Sequence, residues 1–504
     1  MRPGALLRLA LAGTRTDGAR VALTALSAAL ATLSGLAALT VLAVAKPPGD
    51  ARAESVQYTN ALLREPGLRP GVAIALLLLM VPVLGLAGQC ARLGAPARDR
   101  RLAAFRLAGA TPGQVTWVAA VETGLAGLLG TGTGLVLHLV GRRMLHRPGP
   151  DGRLSLPTDV RPAPVAVVAV VVGLPLVAAL VSAVLLRRVT TTPFGVVRRV
   201  RTRAPWPWPG LLILVGLAMF ASFRPVGLWY ERRFAEPPSW LLPTLLILGS
   251  LAAMIGVVAG TGWISYTLGR VLHRYARRPA VLLAARRLTA DPWAGSRTFA
   301  ALLAALIFGA GTAGVRAEFL AEGELHRRTG GGFGAPEGFY LRALELVDLT
   351  VAVAVAIAAG GLLVAVVERI TARRRAHAAL VATGVPRGTI GRSLLWQSLV
   401  PALPAIALAL TVGYLLVRGV WGSPSGGGYS QEFCDAGERL CGDPLTRAQY
   451  TRTEWVPRVT VTPDVPWEQL GWFAAGGLAA VLATVGVGLL FLRASTTLEE
   501  LRTT

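Results

Sequence analysis

Lysine is almost missing from this chain. Lys46 is the only one in 504 residues, and every other basic side chain is arginine. A P-loop needs the lysine of G-x-x-x-x-G-K-[ST] to reach the phosphates of ATP. Lys46 sits in Ala45-Lys46-Pro47, so the chain is not expected to carry its own P-loop. Cysteine is scarce as well, with three residues. Cys90 stands alone near the end of an apolar run and reads as a small buried residue. Cys434 and Cys441 form a pair where a structural zinc site wants four ligands. The histidines His138, His146, His273, His326 and His377 are scattered, and neither a His/Asp/Glu cluster nor a Ser/His/Asp arrangement stands out. No catalytic, metal or cofactor-binding residue is therefore expected. Charge is low too: 15% of residues are charged, against about 25% in soluble globular chains.

Apolar sequence fills the gap. The chain is 53% hydrophobic with a mean hydropathy of +0.55. Ten stretches approach or exceed the roughly 20 apolar residues that cross a bilayer as a helix. They are expected at 21–45, 70–90, 115–140, 162–186, 210–223, 240–268, 298–315, 346–367, 393–417 and 470–492. The fold class is an all-α polytopic membrane protein. The first run is too long for a signal-peptide core and is followed by Lys46-Pro47-Pro48 rather than small residues, so it is read as a membrane helix. Residues 1–20 mix Arg2, Arg8, Arg15 and Arg20 with leucine and alanine, the pattern of an amphipathic helix on the membrane surface.

The net charge of +24 would suggest nucleic acid in a soluble protein. Here the arginines gather in alternate loops, which is the bias that orients membrane proteins. Nucleic acid is therefore not expected as a partner. The bias predicts a multi-pass membrane protein with both termini cytoplasmic. It also puts Cys434 and Cys441 outside, where a disulfide is the natural reading. Pro401 and Pro404 interrupt the ninth run, and 459–462 has the look of a short strand in the long polar stretch 418–469. The glycines at 330–334 read as a flexible loop rather than a phosphate cradle, since no lysine follows.

The chain also repeats itself. The basic amphipathic segment 98–115, ending in Phe105-Arg106-Leu107-Ala108-Gly109-Ala110-Thr111, has a weaker copy at 373–390, with Leu380-Val381-Ala382-Thr383-Gly384-Val385. Setting Gly109 on Gly384 puts Arg100 on Arg375 and Glu122 on Gln397. Arg278-Pro279 and the leucines after it echo Arg2-Pro3, and the tail 493–502 echoes 189–198. The expected domains are a first repeat at 1–200, linking helices at 201–277 and a second repeat at 278–504. Small residues such as Gly124, Gly127, Gly130, Gly132 and Gly134 mark the third run as a packed helix, although glycine also permits bending. Glu122 within that run is costly unless paired or wetted. It is either a polar joint in the bundle or a shallow residue near the cytosolic face.

The stretch 100–134 resembles the FtsX-like permease domain, in which a basic helix ends in a short Ala-Gly-Ala-Thr-like signature and a glycine-rich span with an early Glu or Gln follows. The second copy and both tails resemble it as well. The resemblance implies two four-helix repeats plus two linking helices, forming the membrane subunit of a MacB-type (type VII) ABC transporter. It implies that the basic segments are coupling helices on a separate ATPase, probed here by Arg101, Phe105, Arg106, Leu107, Gly109 and Thr111, and by Arg375, Leu380, Gly384 and Arg387. ATP and magnesium would be bound by that partner, present in two copies. Glu122 and Gln397 would be the intramembrane polar residues. The expected work is export, extraction or mechanotransmission of an amphipathic, lipid or peptide substrate, with membrane lipid and an extracytoplasmic protein as further partners. The other reading is a non-transporting subunit that controls cell-wall hydrolases or a sensor kinase. The loops after the first and seventh spans are too short for the large extracytoplasmic domain such relatives carry.

Overall fold

The computed structural model describes residues 15–45, 55–65, 69–90, 104, 106–190, 204–234, 237–238, 240–329, 338–372, 374–434 and 451–495. Among them, ten helices are long and apolar enough to cross a membrane. The chain is an all-α polytopic membrane protein with almost no sheet, and its helices are taken here in the order of the two repeats and the link expected from the sequence.

The first repeat comprises α1 (Arg15–Leu42), the short α2 (Ala61–Arg64), α3 (Arg69–Cys90), α4 (Pro112–Met144) and α5 (Pro164–Thr190). α1 packs on α3, α4 and α5, and α4 packs on α5. The link is α6 (Trp208–Ala221), α7 (Phe223–Glu231) and α8 (Leu241–Tyr275). The second repeat comprises α9 (Pro279–Ala290), α10 (Trp293–Thr329), α11 (Gly338–Ala372), α12 (Arg374–Ala382), α13 (Arg387–Trp421) and α14 (Trp467–Ser495). Here α10 packs on α11, α13 and α14, while α11 and α13 both pack on α14. The repeats meet where α3 lies against α11 and α10. The link joins the second repeat, with α8 on α9, α10 and α13 and α6 on α13.

Small residues set the closeness of these contacts. A Cβ on Gly130 would stand 2.2 Å from the Ala25 carbonyl oxygen, and one on Gly134 2.7 Å from that of Ala29, so α4 touches α1 backbone to backbone. Gly413 of α13 meets the Ile307 carbonyl of α10 in the same way. The glycine stripe of α4 is thus a packing surface. The largest buried apolar cluster among the described residues joins the second repeat to the link, with Leu302, Leu303 and Leu306 of α10, Ala405 and Ala409 of α13, and Ala253 and Val257 of α8.

Several sequence expectations shift. Arg15–Arg20 is part of the membrane helix α1 rather than a separate surface helix, because Arg20 finds a buried partner (below). Residues 1–14 lie outside the described residues, as do Lys46, the glycine run 330–334 and most of both tails. The seventh span does not stop at 315: α10 runs on to Thr329, and α11 starts at Gly338 rather than 346. The charges that looked like loop are paired between helices instead, Arg316 to Asp348 and Glu318 to Arg418. The chain after α6 is helical to Glu231 rather than a loop from 224. Pro401 and Pro404 do not interrupt α13, which is one helix from Arg387 to Trp421. The packed neighbours α10 and α14 hold it together across the missing N–H groups. Between α13 and α14 lie two small antiparallel pairs: β1 (Ser425–Gly426) with β4 (Val459–Thr460), and β2 (Tyr429–Cys434) with β3 (Thr451–Val456). β4 falls within the strand anticipated at 459–462; the β2–β3 pair was not anticipated.

Candidate functional site

Both basic segments sit at the same end of the bundle, because α3 and α11 pack side by side and their C-terminal ends lead into them. The first is described at Ala104 and from Arg106 onward; Arg101 and Phe105 lie outside the described residues. Its helical turn closes with the Gly109 N–H donating to the Arg106 carbonyl at 3.0 Å, and Gly109 has φ 89°. A side chain at that φ is strained, which is why glycine stands there. The backbone then extends through Thr111, the N-cap of α4. The Thr111 hydroxyl accepts from the Gln114 N–H, and the Gln114 side chain accepts from the Thr111 N–H. Pro112 follows at the first helical position, where its missing N–H costs nothing. Leu107 is 90% exposed at the tip, and Arg106 is half-buried.

The second segment has the same form. Gly384 has φ 88°; its N–H donates to the Val381 carbonyl and that of Val385 to the Leu380 carbonyl, both at 3.0 Å. This pair of bonds is the Schellman closure of a helix. Pro386 caps α13, and Arg387 opens it. The Arg375 backbone lies in α12. Leu380, Val381 and Val385 pack back on Ile370 and Ile390 rather than projecting outward. The two tips therefore share a backbone but not a surface: the first offers an exposed leucine, while the second turns its leucine inward. The Thr111-x-x-Gln114 capping box was readable as a sequence pattern and joins the candidate set.

Behind each segment lies a polar residue on the next helix. Glu122 is about 15 Å along α4 from its start at the usual rise per residue. It is buried and paired with Arg20 of α1, which is buried as well. No local signal links these two residues across 102 positions; an arginine at the mouth of one apolar run and a carboxylate inside another was the only hint. The counterpart, Gln397, lines a small cavity of about 30 Å³ beside Arg287 and Arg369. Arg369 donates to the Thr298 hydroxyl at 3.0 Å. At the far end of the second repeat, Arg418 of α13 reaches Glu318 of α10 at 3.1 Å, and Arg316 of α10 reaches Asp348 of α11 at 2.6 Å.

The far end of the first repeat is held by a different network. Arg69 donates to the carbonyls of Leu63, Val44 and Ala45. Tyr58, fully buried, donates to Asp159 at 2.8 Å, and the Leu154 N–H and carbonyl bond to the Gln57 carbonyl and Thr59 N–H. Burial, with the Asp159 carboxylate beside it, pushes the Tyr58 phenol up to about 12. Cys434 closes β2, and Cys441 lies outside the described residues, so the expected disulfide falls there as well. Cys90 is a buried free thiol.

The FtsX-like permease C-terminal family matches residues 72–194 and 349–437, which carry the two segments and the helices around them. Through these two stretches the chain is similar to the FtsX-like permease family. That family comprises multi-pass membrane permease components of ABC-type systems, generally not enzymes themselves, that generally partner with an ABC ATPase subunit. Comparison with curated proteins and with solved structures gives no significant match to either.

Proposed function

We propose that this chain is the membrane permease subunit of a MacB-type ABC system, with 98–115 and 373–390 docking two copies of a separate ATPase in the cytoplasm. The observation that carries the reading is the repeated backbone, a helical turn closed by a glycine near φ 90° and followed at once by a membrane helix, at the same end of the bundle in both repeats. A fixed turn of this kind transmits force from a docked partner into α4 and α13 without bending. Hydrolysis belongs to the partner, which supplies the ATP and magnesium site, and both termini lie on its side of the membrane. The work done is export, extraction or mechanotransmission on an amphipathic substrate.

The test is to purify the full chain from its native membrane, identify any ATPase that accompanies it and measure hydrolysis by the complex in nanodiscs. Two ATPase copies per chain are expected, falling to one with Gly109→Val or Gly384→Val and to none with both. A folded double variant that still binds and drives the ATPase would overturn the coupling assignment. Normal coupling with no response to any lipid or peptide would favour the signalling subunit instead.

A further inference from the structure

The far end of the first repeat contains a divided cleft that the coupling mechanism does not use. One lobe, about 460 Å³, lies among α1, α3, α4 and α11. The other, about 550 Å³, lies among α1, α4 and α5. Each is within the roughly 300–1,000 Å³ range of ligand sites. The walls are aliphatic, with Leu33, Val41 and Leu76 in the first lobe and Leu36, Leu135 and Val168 in the second. Leu137, Leu346 and Val168 at the margins are about half exposed or more, so the lobes open on the side that faces the bilayer.

Two side chains line both lobes: His138 and Arg142, one turn apart on α4. The Arg142 Nε donates to the Thr158 carbonyl at 2.8 Å, which fixes the guanidinium plane and leaves its terminal nitrogens unbonded among the described residues. Thr158 is itself held by His146, at 2.8 Å from its hydroxyl. The His138 Nε2 is buried with no hydrogen-bond partner in the described structure. Arg143 and Arg161 add two further positive charges to the second lobe, and no carboxylate lines either lobe. Asp159, next to Thr158, is engaged by Tyr58 and Gln57 on the roof, and Asp348, next to Val347, by Arg316.

A half-buried arginine fork, an unsatisfied buried imidazole nitrogen and uncompensated positive charge call for an oxygen-rich anion. Aliphatic walls open to the bilayer call for hydrocarbon. A free anion would leave the walls unfilled, and a peptide would bring backbone N–H and C=O groups into a cleft with few partners for them. We infer that the cleft holds an anionic phospholipid from the surrounding bilayer, with its phosphate on Arg142 and His138 and its two acyl chains in the two lobes. The lipid is drawn from the leaflet at the end opposite the coupling segments. The roof made by the Tyr58–Leu154 bridge and the Tyr58–Asp159 bond keeps Thr158, and through it Arg142, in place.

The test uses the full chain in nanodiscs and no ATPase, so its outcome is independent of the proposed function. Phosphatidylglycerol or phosphatidylcholine carrying a photoreactive group on one acyl chain is activated, and the labelled residues are mapped by mass spectrometry. Label from the anionic lipid is expected around Leu33, Leu76 and Leu346, about tenfold above that from the zwitterionic lipid, as a charge-assisted phosphate contact would give. Arg142→Gln should bring the ratio near one. Gly141→Trp, at a position where a Cβ meets nothing within 4 Å, should block the cleft and remove the label for both lipids. Label on the outer face of α5, at Leu176 and Leu180, should not change and reports that a variant remains folded. Equal labelling by the two lipids in the unaltered chain would overturn the inference, as would an unchanged ratio in folded Arg142→Gln. Displacement of the label by inorganic phosphate would overturn it too, because it would make the site one for a free anion.

Discussion

The same pair of helices is fastened at opposite ends in the two repeats. In the first, α1 and α4 are joined by Arg20 and Glu122 toward the coupling end. In the second, their counterparts α10 and α13 are joined by Glu318 and Arg418 at the far end. Both pairs sit on close backbone contacts, at Gly130 and at Gly413, so the difference lies in the polar fastening and not in the packing. The helices of the first repeat are thus held together beside the coupling segment and part at the other end, where the cleft lies. Those of the second are held at the far end and meet Gln397 and its small cavity toward the coupling segment. If the two segments are the docking sites proposed above, a push of equal size on them is expected to produce unequal movement at the far end.

The largest effect should come from breaking the first fastening. Removing one member of a buried ion pair typically costs about 3–5 kcal/mol, so Glu122→Ala should lower the thermal unfolding midpoint in detergent sharply, while Gln397→Ala should change it little. Similar losses from both would dissolve the contrast between the repeats. Next comes Glu318→Gln, which leaves Arg418 without its carboxylate at a partly solvated site and should cost about 1.5–3 kcal/mol. Spin-label distances should show α10 and α13 separating at the far end in this variant, with α1 and α4 unmoved. Gly109→Val and Gly384→Val should each cost about 1–2 kcal/mol for forcing a side chain into the left-handed region, read as weaker ATPase retention. Equal losses at the two tips would show that exposed Leu107 adds nothing beyond the shared turn.

The smallest effect concerns the roof over the first repeat. Tyr58 ionises near 10.0 when unfolded and near 12 in the fold. The folded state therefore holds its proton more tightly. Stability from this residue is complete below pH 10 and declines as pH rises from 10 to 12. Tyr58→Phe should flatten that part of a stability-against-pH profile. An unchanged slope would mean that the roof does not depend on the phenol.

How far the sequence could be read depended on whether a feature was local. Hydropathy located all ten spans, and the glycine-stopped turns at 109 and 384 could be seen because every group involved lies within a few residues. Charge misled wherever pairing was remote. Arg316 and Glu318 looked like a loop because a lone charge is expensive in a membrane helix, yet each has a partner on another helix. Arg20 looked like a surface residue for the same reason. The prolines of α13 looked like breaks because helix propensity ignores the neighbours that support a buried helix. Tyr429–Cys434 escaped notice because the strand it pairs with begins at Thr451, well beyond the reach of a hairpin turn.

The seam between α3 and α11 has a consequence for how such a protein can change. Two identical chains meeting on a twofold axis must fit themselves, so every substitution appears on both sides of the seam at once. Here the two sides are encoded separately. A Cβ on Gly85 of α3 would lie 2.7 Å from the Ala301 Cβ of α10, whereas one on Gly361 of α11 would lie 3.4 Å from the Leu86 backbone of α3. Equivalent helices already meet different neighbours. Each side is free to drift alone, so a substitution on one face of the seam need not be answered by the same substitution on the other.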